Sequence, residues 1–297
     1  MVETRVQSGA TEAGPLETAP DAGEQKSASL TSSSKSFKWF SYLLLWPLFA
    51  LATAAFGSAS LLASIFDGQG RIQHAIAHAW GGALLQITMS PVRVIGEENL
   101  RKAPVAVYAA NHLSYMDTPV VLNKLPFQFR ILARHDLFKL PFIGWYLRRS
   151  GQIPVDSTSL RSTLASLNRG VKVLQSGMPL VIFPEGGRSL DGQLQAFQSG
   201  PAYMAIRAQV PVVPVALVGT YELMPMHTYH LQPRPLLIIV GEPISTIGYT
   251  TKMADAVTEQ IHHAISEMFA RRVPSTAAQS QPLEAGSQLH RDGSSLL

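Results

Sequence analysis

The chain has 297 residues, no cysteine and a formal net charge of +4, with an isoelectric point near 9.4. Disulfides and thiolate metal sites are excluded, and the mild, dispersed basicity fits an anionic substrate or a membrane surface, not a nucleic acid. This length holds one α/β domain of about 200 residues plus tails.

Residues 1–36 are mostly Ser, Thr, Ala, Gly and Glu. A segment so poor in large apolar groups cannot offset its ordering entropy, which predicts a disordered tail. It lacks the basic start and apolar core of a signal peptide. Residues 37–90 are predicted as membrane-associated helices. From Trp39 to Phe66 no residue is charged. As one helix this run would be about 42 Å long, more than a hydrocarbon core of about 30 Å. Trp39, Phe40, Tyr42 and Trp46 crowd its start beside Lys35 and Lys38, as interfacial anchors do. Pro47 and the Gly57/Ser58/Ser60 cluster leave two topologies open, a crossing helix or a re-entrant hairpin. A second, amphipathic helix is expected over residues 71–89. Ile72, Ile76, Trp80, Ala83, Leu84 and Ile87 share one face, and Gln73, His74, His78 and Gln86 lie on another. Such a helix lies at the interface or packs on the first one.

The globular part is expected over residues 91–272. Val92–Ile95 alternates as a strand, and Pro104–Ala110 is an apolar run that reads as a buried strand. It ends in Asn111-His112-Leu113-Ser114-Tyr115-Met116-Asp117, before a helix that Asp117 or Ser114 is placed to cap. A His with a carboxylate in reach is the minimum kit of a general base. Five positions apart on a helix they would point roughly 140° away from each other, so they meet only if the chain turns between them. A strand-to-helix junction provides that turn.

Further strands are expected at Phe129–Ala133, at Gly151–Asp156 (an edge strand, because of Pro154), at Leu180–Phe183, at 210–217 and at Leu236–Val240. Helices are expected around 140–149, over 160–174, where Leu160, Leu164, Leu167, Val171 and Leu174 recur at helical spacing, over 202–209 and over 254–271. The strand at Leu180 ends in Pro184-Glu185-Gly186-Gly187-Arg188-Ser189. If it runs parallel to the strand before His112, both polar motifs emerge at one carboxyl edge of one sheet. Arg188 offers a planar guanidinium for a phosphate, and the glycines allow close backbone approach. Residues 273–297 turn polar and are expected to form a loose tail.

His112 with Asp117, Phe183-Pro184-Glu185-Gly186-Gly187-Arg188-Ser189, and Val210-Pro211-Val212-Val213-Pro214 resemble, in order and spacing, the motifs of the 1-acylglycerol-3-phosphate acyltransferases. Arg134–Leu137 and Pro141–Trp145 look like that family's segment between the first two motifs. The resemblance covers about residues 92–245. It implies an α/β fold, an αβα-layered mixed sheet domain of the glycerolipid acyltransferase type, preceded by N-terminal membrane helices. It further implies a membrane-bound O-acyltransferase, integral or deeply monotopic, with its catalytic domain on the cytoplasmic face. Such an enzyme moves a fatty acyl group from an acyl thioester to the sn-2 hydroxyl of 1-acylglycerol-3-phosphate, giving phosphatidic acid in phospholipid biosynthesis. The donor is acyl-CoA or acyl carrier protein, with no cofactor and no metal. The alternatives are another lyso-lipid acceptor, or a non-catalytic membrane protein that binds lipid. By resemblance, His112 is the base, Asp117 orients it, and Glu185, Gly186 and Arg188 bind the acceptor. Pro211 and Pro214 belong to a motif associated with the acyl side of the site. Two positions depart from the family pattern: Ser157 stands where an Arg is usual, and Gly187 where Thr is commoner.

Overall fold

The structure is a computed structural model that describes residues 35–270, apart from Ser157 and Tyr229. The expectations for the two tails, up to residue 34 and from residue 271, and for Ser157 lie outside the described residues. Helix begins at Lys35, two residues before the expected start of the helical region. Helix α1 (Lys35–Phe40), a π-helical turn (Ser41–Leu45) and α2 (Trp46–Ala63) run into one another. Within them lies a 27-residue apolar helical run, Phe37–Ala63. The π-turn explains how the helix passes Pro47. Trp46 N–H already reaches back five residues to Ser41 O, so the hydrogen-bond ladder has shifted register where the proline lacks a donor. The helix does not fold into a hairpin at Pro47 or at Gly57.

Helix α3 (Arg71–Ile87) returns along α2, and Trp80 Nε1–H donates to Thr53 Oγ1 at 3.2 Å. Its expected polar face is not fully solvated. Gln73 is buried, His74 packs edge-on to Phe129 at 4.9 Å, and His78 Nδ1 lies 3.0 Å from Leu122 O. The reason is that α3 is flanked on a second side, by α5 (Asp117–Lys124).

The remaining elements follow in order: β1 (Val92–Ile95), α4 (Glu98–Lys102), β2 (Val107–Ala110), α5, β3 (Arg130–Arg134), a 3-10 turn (His135–Lys139) and α6 (Ile143–Arg149). Then come β4 (Ile153–Val155), α7 (Leu160–Gln175), β5 (Leu180–Ile182), α8 (Gly200–Ala208), β6 (Val212–Val218), α9 (Thr220–Leu223), β7 (Leu236–Val240) and α10 (Ala254–Ala270). The seven strands form one sheet in the order β1-β7-β6-β2-β5-β3-β4. Strands β6, β2, β5, β3 and β4 are mutually parallel; β7 runs antiparallel to β6 and parallel to β1. The sheet is therefore mixed, and β4 with Pro154 lies at its edge.

Period-two alternation divides the strand residues between two cores. Tyr108, Ala110, Val181, Val213 and Val215 face the layer of α3 and α5. Val107, Ala109, Leu180, Ile182 and Val212 face α7, α8 and α10, with Val171, Leu174, Met204, Val257 and Ile261 packed on them. Buried on both faces, β2 and β5 read as continuous apolar runs. The result is an αβα sandwich whose middle strands end beneath the two polar motifs.

Pro214 sits in a strand paired on both sides, yet breaks no ladder bond. Its carbonyl points towards β7, where Gly241 N–H donates to it at 2.8 Å, so its donorless nitrogen faces that side too. The β6–β7 pairing register begins one residue later, at Val215 with Val240.

Candidate active site

The site is assembled where β2 and β5, adjacent and parallel, release their loops at the same edge. The loop after β2 is pinned first by Asn111. Its side chain both donates to Leu217 O (2.9 Å) and accepts from Leu217 N–H (2.7 Å), bridging to β6. His112 follows, and its Nδ1 lies 2.9 Å from Asp117 Oδ2. That same oxygen accepts from the backbone N–H groups of Leu113 (2.7 Å) and Ser114 (2.8 Å). Asp117 therefore folds the five-residue turn around its own carboxylate. It does not cap α5, whose N-cap is Met116 without a side-chain bond. Ser114 does not cap α5 either. Its hydroxyl donates to Met224 O and accepts from Met116 N–H, tying the turn to the chain beyond β6.

The charge-supporting contact fixes the tautomer. With Asp117 ionised, Nδ1 carries the proton, which leaves Nε2 as the acceptor of the ring. No described residue hydrogen-bonds Nε2. The His112 side chain is 13% exposed while Asp117 is fully buried, so the dyad has a shielded end and an open end. Phe183 stacks on the imidazole at 4.1 Å with planes 17° apart, holding the ring against rotation.

Glu185 lies in the turn after β5, closed by Gly186 N–H to Phe183 O at 3.1 Å. Gly186 has φ of +73°, and a side chain there would run into Gln198. The Glu185 carboxylate is turned inward. Oε1 accepts from His112 N–H at 2.6 Å and Oε2 from Gln195 N–H at 3.1 Å. Burial pushes its pKa up to about 7, against those two N–H donors, and the charge of Asp117 adds to the rise. Ser189 N–H donates to His112 O at 3.0 Å, so the two motifs are cross-bonded in both directions.

Arg188 is exposed, and its guanidinium carbon sits 3.8 Å above the ring of Tyr115. Together Glu185, Gly187, Arg188, Asp191 and Gln195 line an open cleft of about 590 Å³. At Gly187 an added Cβ would meet nothing within 4 Å, so the glycine in place of Thr widens the cleft without any steric demand for it.

The structure thus brings His112, Asp117, Glu185, Gly186 and Arg188 together. It does not bring Pro211 and Pro214 to them. Pro214 pairs with Ala109 in the middle of the sheet, and Pro211, just before β6, sits at its amino edge. At about 3.3 Å per residue along a strand, Pro211 is roughly 20 Å from the level of His112. Tyr115, Phe183, Asn111 and Gln195 are site residues that motif reading assigned no role. Tyr115 and Asn111 lie inside the His112 stretch, and Phe183 two residues before Glu185; for Gln195 the sequence holds no signal, since only its backbone N–H is used on Glu185.

A strand-end His–Asp pair with no described partner at Nε2, bonded through Glu185 to the loop that carries an arginine-lined cleft, is the arrangement of a general-base enzyme on an αβα sheet. A protein-family model described as Acyltransferase matches residues 91–218. The chain belongs to the 1-acyl-sn-glycerol-3-phosphate acyltransferase family. It is 32% identical over 252 residues to the 1-acyl-sn-glycerol-3-phosphate acyltransferase of Chlamydomonas reinhardtii, covering 84% of this chain and 72% of the relative. It is 28% identical to that of Saccharomyces cerevisiae over 264 residues, 84% of this chain and 86% of the yeast protein. The crystal structure of the LPA acyltransferase PlsC from Thermotoga maritima superposes with a TM-score of 0.64 at 26% identity, covering 78% of this chain and 98% of that one.

Proposed function

We propose that this enzyme transfers a fatty acyl group from an acyl thioester, acyl-CoA or acyl carrier protein, to the sn-2 hydroxyl of 1-acylglycerol-3-phosphate, giving phosphatidic acid. The observation that carries the reading is the His112–Asp117 contact at 2.9 Å with Nε2 left open. Nε2 takes the proton from the acceptor hydroxyl as its oxygen bonds to the thioester carbonyl carbon. The C–S bond then breaks, and the departing sulfur recovers the proton from the imidazolium. Asp117 stabilises the imidazolium in between. No covalent enzyme intermediate is required, and the chain has no cysteine to form a thioester.

Arg188 supplies the cleft's guanidinium for a phosphomonoester, beside the Asp191 carboxylate, which Gln193 N–H and the Ser189 hydroxyl hold below the usual carboxylate range. Glu185 lines the same cleft, but with its pKa near 7 it is partly protonated at neutral pH and repels a phosphate less than an ordinary carboxylate would. The apolar helix supports a membrane location. Leu43, Leu44, Leu48, Leu51 and Leu62 are exposed on it, and Ile65 and Phe66 in the turn that follows, whereas the core helix of a soluble domain buries such groups.

The test is acyl transfer by the purified protein to a panel of lyso-lipids from both carriers. Phosphatidic acid formed with the highest kcat/KM from lysophosphatidic acid is the expected result. A preference for lysophosphatidylglycerol or a neutral acceptor would overturn the substrate, and no transfer to any acceptor would overturn the reaction.

A further inference from the structure

The segment from Leu137 to Trp145 carries an apolar patch that the reaction does not use. Leu137, Leu140, Phe142, Ile143 and Trp145 are 38–64% exposed, five large side chains within nine residues. The backbone presents them at a conformational cost. Phe142 has φ +61° and ψ −59°, and Ile143 N–H donates to Pro141 O at 2.7 Å. That is a γ-turn of the strained hand, in a residue with a bulky side chain. Strain of this kind persists only where the surrounding structure holds it, and it clusters at functional surfaces. Here it turns the Phe142 ring outward against Trp145, with centroids 5.4 Å apart, instead of into a core. Cations rim the patch: Lys139 and Arg149 are exposed beside it, while Arg148 donates to Phe138 O and Arg134 is paired with Asp136 at 2.8 Å.

Its position in the fold decides what covers it. Strand β3 is parallel to β5, so the chain beyond Arg134 emerges at the edge where Glu185 and Arg188 line the cleft. Helix α6, which carries Trp145, packs against α2. The patch is therefore continuous with the apolar helix on one side and shares the sheet edge of the site on the other. An aromatic and aliphatic surface rimmed by Lys and Arg matches a bilayer interface, where indole rings settle at headgroup level and basic side chains meet anionic lipids.

We propose that the Leu137–Trp145 segment is a second membrane contact that docks on an anionic bilayer surface and sets the cleft at headgroup height, facing the acceptor. This rests on the reading that α1–α2 is in the membrane.

Two single-tryptophan forms of the full-length protein separate the two claims. One keeps Trp145 (W39F/W46F/W80F) and the other keeps Trp46 (W39F/W80F/W145F). Both are reconstituted in vesicles of phosphatidylcholine and phosphatidylglycerol carrying bromine either near the headgroup end or near the methyl end of the chains. Quenching of Trp145, stronger with the shallow bromine, is expected alongside quenching of Trp46. Trp46 quenched with Trp145 unaffected overturns the patch and leaves the helix anchor standing; neither quenched overturns both.

Function is tested with Phe142→Asn/Ile143→Ser, since Asn tolerates the left-handed backbone, and with Lys139→Glu/Arg149→Glu. For the charge reversals, the apparent KM for bilayer-embedded acceptor is expected to rise on the order of tenfold on anionic vesicles. Both variants should match wild type on a short-chain acceptor dispersed in detergent. Equal loss in both formats would make the segment part of the domain's own structure. A loss seen only with acyl carrier protein as donor, in vesicles and detergent alike, would make it a carrier-protein surface. Either result overturns the proposal.

Discussion

Glu185 Oε1 accepts the backbone N–H of His112 at 2.6 Å, so the carboxylate of one motif fixes the main chain of the other's base. The family resemblance implies a contact between Glu185 and the acceptor. In the structure both of its oxygens are engaged by backbone N–H groups, from His112 and Gln195. Its first physical effect is on where the imidazole stands.

That effect has a pH signature. The folded-state pKa of Glu185 is raised from an ordinary 4.5 to about 7, so the folded protein binds its proton more tightly than the unfolded chain does. The stabilisation from that proton is full below about 4.5 and is lost as pH rises through about 7. The separation corresponds to a loss on the order of 3 kcal/mol. Denaturant unfolding in detergent at pH 4.5 and pH 8, for wild type and Glu185→Gln, checks it. The wild type should lose stability relative to the Gln variant as pH rises; parallel curves would show that Glu185 has an ordinary pKa.

His112→Ala is expected to lower kcat on the order of 10²–10⁴-fold, the range lost with a general base, and to leave the fold intact. Asp117→Asn should cost comparable activity and also stability, because Asp117 Oδ2 gathers three donors inside the turn. Steady-state kinetics together with circular dichroism distinguishes the two. A His112→Ala enzyme that keeps most of its turnover removes the base from the mechanism.

Arg188→Ala should raise the acceptor KM on the order of tenfold to a hundredfold, the loss of a charge-assisted contact. Tyr115→Leu removes only the ring beneath the guanidinium, which at an exposed site is worth about 0.5–1 kcal/mol, so KM should rise about two- to fivefold. In both variants kcat should change little. An unchanged KM for lysophosphatidic acid in Arg188→Ala would place the phosphate elsewhere.

Gly81→Ala tests the close approach of α3 to α5. A Cβ at Gly81 would overlap the carbonyl oxygen of Pro119, two residues after Asp117. Forcing these helices apart should cost about 1–3 kcal/mol of stability, as overpacking does. It should also lower kcat, since α5 carries Asp117 at its first turn. Full activity at a lowered melting temperature would show that the dyad tolerates the shift.

The sequence by itself determined the elements and the chemistry of this protein. Leu236–Val240 is a strand with the expected ends, α7 and α10 fall within one residue of their spacing-based limits, and Pro154 marks the sheet's edge. Hydrophobic period is a local property, and local signals are strong where a strand is buried on both faces or a helix is amphipathic. The pairing of His112 with Asp117 was legible for the same reason, since both belong to one short turn. Tertiary structure alone decided the rest. That the Ser114 hydroxyl bonds Met224 O instead of capping α5 depends on the chain beyond β6 lying against the turn. That Gln73 is buried depends on α5 lying across α3. That Glu185 reaches the backbone of His112, 73 positions away in the chain, depends on β2 and β5 being neighbours, and Pro211 falls at the far edge because β6 runs parallel to β2. Such contacts are set by strand order and packing, which no single stretch of sequence encodes.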